Sequence, residues 1–551
     1  AEKLAREKFA NHNSLADKNE PTFVDGKVAM LGEVKTAFDA YINAGFLSSR
    51  ASFEEGGMQL PEIAAAACKG MFTCVNPSST AYAFLTAAAA NVIRNFASDT
   101  LKSQFLEPMM AGRFTGTMAL TEPHAGSSLA DIRTRAVPQE DGSYRLKGNK
   151  IYISGGDNEL ADNIVHLVLA KIPGGPEGVK GISLFVVPKY RLDAQGNPGE
   201  RNDVVLAGLI HKLGYRGTTS TALTFGDNDD CHGYLVGEAH QGLRYMFQMM
   251  NEARVGVGFG AAVLGYRGYR YALDYARDRL QGRHPDQADF SKPQVPIIEH
   301  ADVKRLLLTQ KAYAEAAIAM SLYSYRLVDD IETGDEAAAK DAHLLLDLLT
   351  PVLKSWPSEF GVKANDMAIQ VFGGAGYTRE YPVEQVWRDN RLNPIHEGTT
   401  GVQGMDLLGR KVWMANGKGL QLLARRILAD VERTTDDRCQ PFAQALKAML
   451  PRVEAATTAA GKLMAEQGPR MALSNANAYL QLMGHTVAAW MWLRQANAAA
   501  ALDAPEDTDF AQGKLQAAQY FFHWELPRVE LDAQRLIDAD DTFINMDNRW
   551  F

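Results

Sequence analysis

The spacing of apolar residues switches from helical to strand-like and back again along the chain, and this limits the fold more than any other feature. Residues 1–112 are alanine-rich, with apolar runs at helical spacing over 60–70 and 80–96. Short, alternating, β-branched segments follow at 115–120, 144–153, 164–172, 182–187 and 221–225. Turn residues part them, among them Asp141-Gly142, Pro173-Gly174-Gly175 and Gly196-Asn197-Pro198. After Gly237 the helical period returns: Val303, Leu306, Leu307, Gln310 and Ala314 mark one face of a long helix, and residues 344–353 belong to another. Beyond Lys411 the pattern stays helical to the end, with Leu480, Met483, Val487 and Trp490 forming a buried stripe. No internal repeat or low-complexity linker interrupts this order. The pattern predicts a mainly α chain with a central β-domain. A chain of 551 residues exceeds one core, and we expect divisions at 1–114, 115–238, 239–412 and 413–551.

Several function classes are disfavoured at this level. The formal charge of −9 offers no global attraction for nucleic acid or an anionic membrane. Four cysteines without a CxxC pair point to neither a disulfide framework nor a zinc site, and no metal is expected. The longest apolar run, residues 255–265, falls short of the roughly 20 residues of a membrane span. The charged N-terminus lacks a signal-peptide pattern, and its missing initiator Met suggests trimming; a cytoplasmic location is expected.

The chemistry concentrates in two segments. Gln370-Val-Phe-Gly-Gly-Ala-Gly-Tyr-Thr-Arg-Glu-Tyr-Pro-Val-Glu384 places three glycines within four positions, which lets a backbone approach a phosphate closely. A helix C-cap followed by a tight turn uses the same glycines, so the loop alone decides nothing. It continues into Trp387-Arg-Asp-Asn-Arg-Leu-Asn-Pro-Ile-His-Glu397-Gly-Thr-Thr-Gly-Val-Gln403. Earlier in the chain, Thr117-Met-Ala-Leu-Thr-Glu-Pro-His-Ala-Gly-Ser-Ser128 reads as a strand ending in hydroxyls and backbone N–H groups, suited to a polar ring edge. Gly148-Asn-Lys-Ile-Tyr-Ile-Ser-Gly-Gly156 is a further strand.

In these segments the chain resembles the acyl-CoA dehydrogenase family, over roughly residues 46–411. The resemblance implies an N-terminal helical domain, a β-barrel-like middle domain and a C-terminal four-helix bundle, here followed by an extra helical module. It implies FAD as cofactor and an acyl-CoA thioester as substrate. Glu397 is then the base that takes the α-proton while the β-hydrogen leaves as hydride, giving the trans-2-enoyl-CoA, with electrons passed to an electron-transfer flavoprotein. A dry site is expected to raise the pKa of that carboxylate.

Carried over position by position, Met118, Leu120, Thr121, Tyr152 and Ser154 would line the flavin. Ser127 would contact flavin or substrate, and Arg254 would stand close to the substrate. Arg279 would meet FAD phosphate, Gln370, Gly373 and Gly374 the adenosine end from a neighbouring subunit, and Thr399 and Gln403 would lie near the FAD. Glu252 is a second acid near the place where some relatives keep their base, but that position falls on Ala253, so Glu252 reads as a capping or surface residue. Two departures stand out. His396 replaces the usual tyrosine before the base, where it either tunes Glu397 or is a satisfied core histidine. His124 replaces a usual glycine.

Relatives with such an extension include enzymes for long acyl chains and for methylthio-propanoyl thioesters. Covering the tetramer face with the extra module would leave a homodimer. One extended relative, an alkylation-response protein, binds DNA through this region. Residues 413–551, however, hold 14 Lys and Arg against 17 Asp and Glu, with no basic cluster beyond Arg425-Arg426. The remaining rival is an acyl-CoA oxidase, in which oxygen takes the electrons.

Overall fold

A computed structural model describes residues 1–551 except Gln287, Ala288, Phe290 and Asp503, and the side chains of Gln248, Met249, Asn251 and Glu252. The expectation for Glu252 therefore lies outside the described residues. The chain divides into two compact units, Ala1–Ala253 and Arg254–Phe551.

In the first unit, α1 (Gly32–Asn43) lies in the alanine-rich segment ahead of the predicted helical runs, which helices α2 (Glu62–Val75) and α3 (Pro77–Phe96) follow. Asn76 separates α2 from α3: its side chain accepts from the Ser79 amide, and Pro77 occupies the first helical position, where no N–H is needed. Phe9, Tyr41 and Phe72 pack edge-to-face in the core of this segment. The segment is not wholly helical. A hairpin pairs Thr22–Val24 with Lys27–Ala29, turning at Asp25-Gly26, both at positive φ (51° and 77°). That is the left-handed pair a two-residue hairpin turn requires.

Eight strands form the middle sheet: β1 (Phe114–Ala119), β2 (Arg135–Pro138), β3 (Tyr144–Ser154), β4 (Asn163–Lys171), β5 (Ile182–Pro188), β6 (Val204–Leu209), β7 (Ser220–Phe225) and β8 (His232–Leu235). Their order is β6-β7-β3-β8-β5-β4-β1, with β2 pairing β3 and β4. β4 and β5 are buried nearly throughout, because apolar side chains pack on both faces. The alternating pattern reveals β1, β3, β4, β5 and β7. It misses the four-residue β2 and β8, the bulged β6, and the outlying hairpin of Tyr190–Leu192 with Pro198–Arg201.

Helix α4 (Gly242–Asp278) carries the boundary between the units. The second unit continues with α5 (Ala301–Thr333), α6 (Glu336–Phe372), α7 (Val383–Asn390) and α8 (Thr400–Gly409). The C-terminal module follows as α9 (Lys418–Arg433), α10 (Gln440–Gln467), α11 (Ala476–Ala500), α12 (Thr508–Tyr520) and α13 (Val529–Ile537). α4 and α6 touch backbone to backbone. A Cβ on Gly258 would lie 1.9 Å from the Leu353 carbonyl, and one on Gly361 would lie 2.6 Å from that of Ala261. Pro357 has no N–H to bond the Leu353 carbonyl, and glycine opposite it permits the contact. This close approach brings Arg254 on α4 and Lys354 on α6 towards a common neighbour. Among the described residues, no helix is long and apolar enough to cross a membrane, and no group of His, Cys, Asp and Glu could hold a metal.

Candidate active site

In the second unit the turn between α7 and α8 carries Glu397 at φ 54° and Gly398 at φ 89°. A left-handed glutamate is uncommon and persists only where its surroundings enforce it. Three contacts do so. Gln403 Nε2 donates to the Glu397 carbonyl at 3.0 Å, and Lys354 Nζ to the Gly398 carbonyl at 2.5 Å. Thr399 caps α8, its hydroxyl accepting from the Val402 amide at 3.4 Å. Lys354 and Gln403 are themselves buried, and Gln403 Oε1 has no hydrogen-bond partner among the described residues.

Glu397 as a residue is half-buried. Burial raises its pKa above the usual carboxylate value, opposed first by Arg254 and then by Lys354. Arg254 is buried, with Nη1 3.8 Å from Asp406 Oδ2, and Arg410 Nε lies 2.8 Å from Asp406 Oδ1. Lys354 is drawn down to about 8 by burial, against the pull of Glu397. A carboxyl that resists ionisation, next to two buried cations that favour it, is poised between proton donor and acceptor.

His396 is fixed by a directional relay. Asn365 donates to the Leu264 carbonyl (3.0 Å), Asn390 to Asn365 Oδ1 (2.7 Å) and to the Ala261 carbonyl (3.1 Å), and Asn393 to Asn390 Oδ1 (2.9 Å). Each amide N–H₂ is thereby committed as donor, so Asn393 Oδ1 accepts from His396 Nε2–H at 3.1 Å. Burial holds the imidazole down to about 3, and Nδ1 is left as an acceptor.

A second cluster lies at the ends of α4 and α6. Tyr275 and Phe372 stack at 4.1 Å between centroids; Arg279 lies one turn past Tyr275, just beyond α4, and Gln370, Gly373 and Gly374 flank Phe372. All four are exposed, and a Cβ on either glycine would meet nothing within 4 Å. The Gly373 φ of 60° and this open backbone suit a phosphate-bearing ligand.

The first unit holds the remaining candidates. Lys150 is fully buried; its ammonium donates to the Leu120 carbonyl and to Glu122 Oε1, both at 2.9 Å. Burial alone would raise the Glu122 carboxyl, but Lys150, the Thr134 hydroxyl and the Arg133 amide hold it below the usual range. The Ile151 amide donates to the Thr121 carbonyl at 3.0 Å. The loop after β1 is thus tied to β3. Opposite Ala222, β3 spends two residues, Ile151 and Tyr152, where the ladder expects one. The bulge sets Tyr152 at φ 61° and leaves it 63% exposed, with Ser154 exposed two residues on. Met118 and Leu120 are partly buried, and Ser127 and His124 are exposed, with His124 Nε2 3.1 Å from the Asp131 carbonyl.

Sequence reasoning passed over Lys354, Lys150 and the asparagine relay. A lysine directly after the mostly apolar residues 344–353 is itself a signal, since burying it requires a partner.

Residues 117–228 match the family model of the acyl-CoA dehydrogenase middle domain, and residues 240–412 that of the acyl-CoA dehydrogenase C-terminal domain. Residues 423–547 match a model described as acetyl-CoA dehydrogenase C-terminal like. The chain is 36% identical to the 3-methylmercaptopropionyl-CoA dehydrogenase of Ruegeria pomeroyi, over 98% of this chain and 91% of that protein. It is 34% identical to the broad-specificity linear acyl-CoA dehydrogenase FadE5 of Mycobacterium tuberculosis, over 100% and 92%. Among solved structures, an acyl-CoA dehydrogenase from Bacillus anthracis complexed with FAD matches at TM-score 0.78 and 20% identity, covering 99% of this chain and 87% of that one. ACDH-11 of Caenorhabditis elegans in complex with C11-CoA matches at 0.77 and 19%, covering 98% and 90%.

Proposed function

The chain belongs to the acyl-CoA dehydrogenase family, and from that premise we propose that it oxidises an acyl-CoA thioester to the trans-2-enoyl-CoA with Glu397 as the base. The observation that carries this reading is the Glu397 turn: a left-handed, desolvated carboxyl held by its own backbone and faced by Arg254 and Lys354. An α-proton beside a thioester is weakly acidic, so its removal needs a fixed base whose pKa is lifted towards the working pH. Glu397 takes that proton at a carboxylate oxygen, the β-hydrogen departs with its electron pair, and the Cα–Cβ double bond forms.

The residues present fit FAD. The exposed face of Tyr152 and Ser154 suits a flat ring, and Leu120 and Thr121, tied by their carbonyls to β3, are fixed for its polar edge. Arg279 with the open backbone of Gly373 and Gly374 suits the diphosphate and adenosine end, contributed across a homodimer. When bound, FAD supplies the hydride acceptor, and an electron-transfer flavoprotein would take the electrons onward. Gln403 fixes the base turn through the Glu397 carbonyl, and Thr399 starts the helix behind it. In this reading the chain divides into four parts, with boundaries at residues 114, 238 and 412.

Anaerobic mixing of the flavin-loaded protein with straight-chain and methylthio acyl-CoAs tests the proposal. Bleaching of the flavin that is lost in Glu397→Gln, with flavin still bound, is the expected result. Bleaching that survives in Glu397→Gln would remove Glu397 as base. Peroxide formation with substrate in air would replace the flavoprotein acceptor with oxygen.

A further inference from the structure

The base turn is held from behind by a buried cation to which the sequence reading gave no role. Lys354 has no exposed surface, lies on α6, and donates to the Gly398 carbonyl at 2.5 Å. A buried ammonium is costly unless an opposite charge or strong acceptors meet it. The described surroundings offer that carbonyl and the Glu397 carboxyl, with the Glu359 carboxylate on α6 a weaker opposite charge. We propose that Lys354 is a positioning residue for the base, its ammonium holding the Glu397–Gly398 turn through the Gly398 carbonyl and opposing the carboxyl as its counter-charge.

The inference rests on the assignment of Glu397 as base, and the geometry supplies the argument. Glu397 and Gly398 are both left-handed, at 54° and 89°, and the carbonyls that bracket the turn are each taken by a buried side chain, Gln403 from α8 and Lys354 from α6. Gln403 is neutral and can only orient. Lys354 brings a charge. The charged and titratable groups around the base come from every element of the second unit packed on it: Arg254 from α4, Lys354 and Glu359 from α6, His396 in the turn itself, and Asp406 and Arg410 from α8. Asp406 engages Arg254 at 3.8 Å and Arg410 at 2.8 Å, which divides the pull of the guanidinium on Glu397. His396 is neutral and adds no charge. The hydrogen bond of Lys354 fixes the carbonyl that adjoins Glu397, and this places its positive charge beside the turn that carries the carboxyl.

Two variants, Lys354→Met and Lys354→Arg, separate these roles from plain packing. The rate of flavin reduction by an acyl-CoA is followed against pH in the holoenzyme. Without the cation, the carboxyl ionises only at higher pH, so in Lys354→Met the midpoint moves up by about one unit and the rate below it falls roughly tenfold. Lys354→Arg keeps the charge and leaves the midpoint near that of the parent. An unmoved midpoint in Lys354→Met would overturn the proposal.

A second reading is independent of turnover. Lys354→Met should lower the melting temperature less in a Glu397→Gln background than alone, because no unpaired carboxylate is then left behind. Equal losses in both backgrounds would make Lys354 a mere cap on Gly398. If Lys354→Met alone does not accumulate folded, the double variant should, and its failure as well would overturn the pairing. Because the stability cycle needs no chemistry, it reports on the Lys354–Glu397 pair even if bleaching in Glu397→Gln shows that another group is the base.

Discussion

The Tyr313 hydroxyl on α5 donates to Glu525 Oε2 at 2.6 Å across 212 residues of sequence, joining the helical bundle to the C-terminal module. Glu525 has no exposed surface, and Tyr520 donates to its other oxygen, also at 2.6 Å. Burial raises both phenols, so each stays a donor. The same face carries Trp356 on α6, stacked on Phe360 and donating Nε1 to His485 Nδ1 on α11 at 3.3 Å. A Cβ on Gly484 would lie 2.4 Å from the Trp356 ring. The module therefore packs directly on the helix that presents Lys354 to the Glu397–Gly398 turn.

Glu525→Ala removes the acceptor from two buried hydroxyls and should cost about 2–4 kcal/mol in urea unfolding. Glu525→Gln, which keeps one acceptor oxygen, should cost less. Equal stability of Glu525→Ala and the parent would show that water replaces the carboxylate.

Lys150→Met should destabilise the first unit by about 3–5 kcal/mol, because it leaves the Glu122 carboxylate buried without its cation. The Leu120 carbonyl also loses its donor, so flavin affinity should fall by more than the stability loss alone explains. Flavin titration alongside the urea melt checks both.

Gly398→Ala should slow flavin reduction by a factor on the order of 10–100 while leaving most of the fold intact. The new Cβ would lie 2.5 Å from Gln403 Nε2, displacing the donor that holds the Glu397 carbonyl, and φ 89° is costly for alanine. Stopped-flow reduction beside a melting curve separates displacement of Glu397 from unfolding. A variant as fast as the parent would mean that the turn adjusts freely.

Much of the architecture was legible because period is a local property. Strands buried on both faces, such as β4 and β5, and long amphipathic helices such as α5 announce themselves over short windows. Some pairings were not legible: β2 and β8 hold four residues each, too few for a pattern, and β6 is broken by a bulge between Leu206 and Gly208. The hairpin at Asp25-Gly26 carried a turn signal that the surrounding helical composition masked. The family motifs locate Glu397, Tyr152 and Gly373 because each occupies a special backbone conformation, with φ of 54°, 61° and 60°. Lys354 and Asn365 act on the turn from elsewhere, 44 residues from Gly398 and 25 from Asn390, so only the folded chain brings them to it.

Acid should unfold this protein through its histidines before most of its carboxylates respond. Burial holds His166, His396 and His485 each down to about 3, and lowers His12 and His232 as well. In the unfolded chain each titrates near its ordinary value of about 6.5. Their folded values are depressed, so the unfolded state binds more protons between the two pKa values. The stability they support is full above about pH 6.5 and falls as pH drops towards 3. Each fully suppressed histidine steepens that loss by about 1.4 kcal/mol per pH unit, so three give about 4. His166 is the cleanest probe: it is wholly buried, its Nδ1 lies 2.7 Å from Thr117 Oγ1, and its Nε2 has no hydrogen-bond partner among the described residues. His166→Gln should flatten the pH dependence by one proton in urea melts taken from about pH 4.5 to 7.5. An unchanged slope would mean that His166 is protonated in the folded protein, with its Nε2 proton accepted by a buried water.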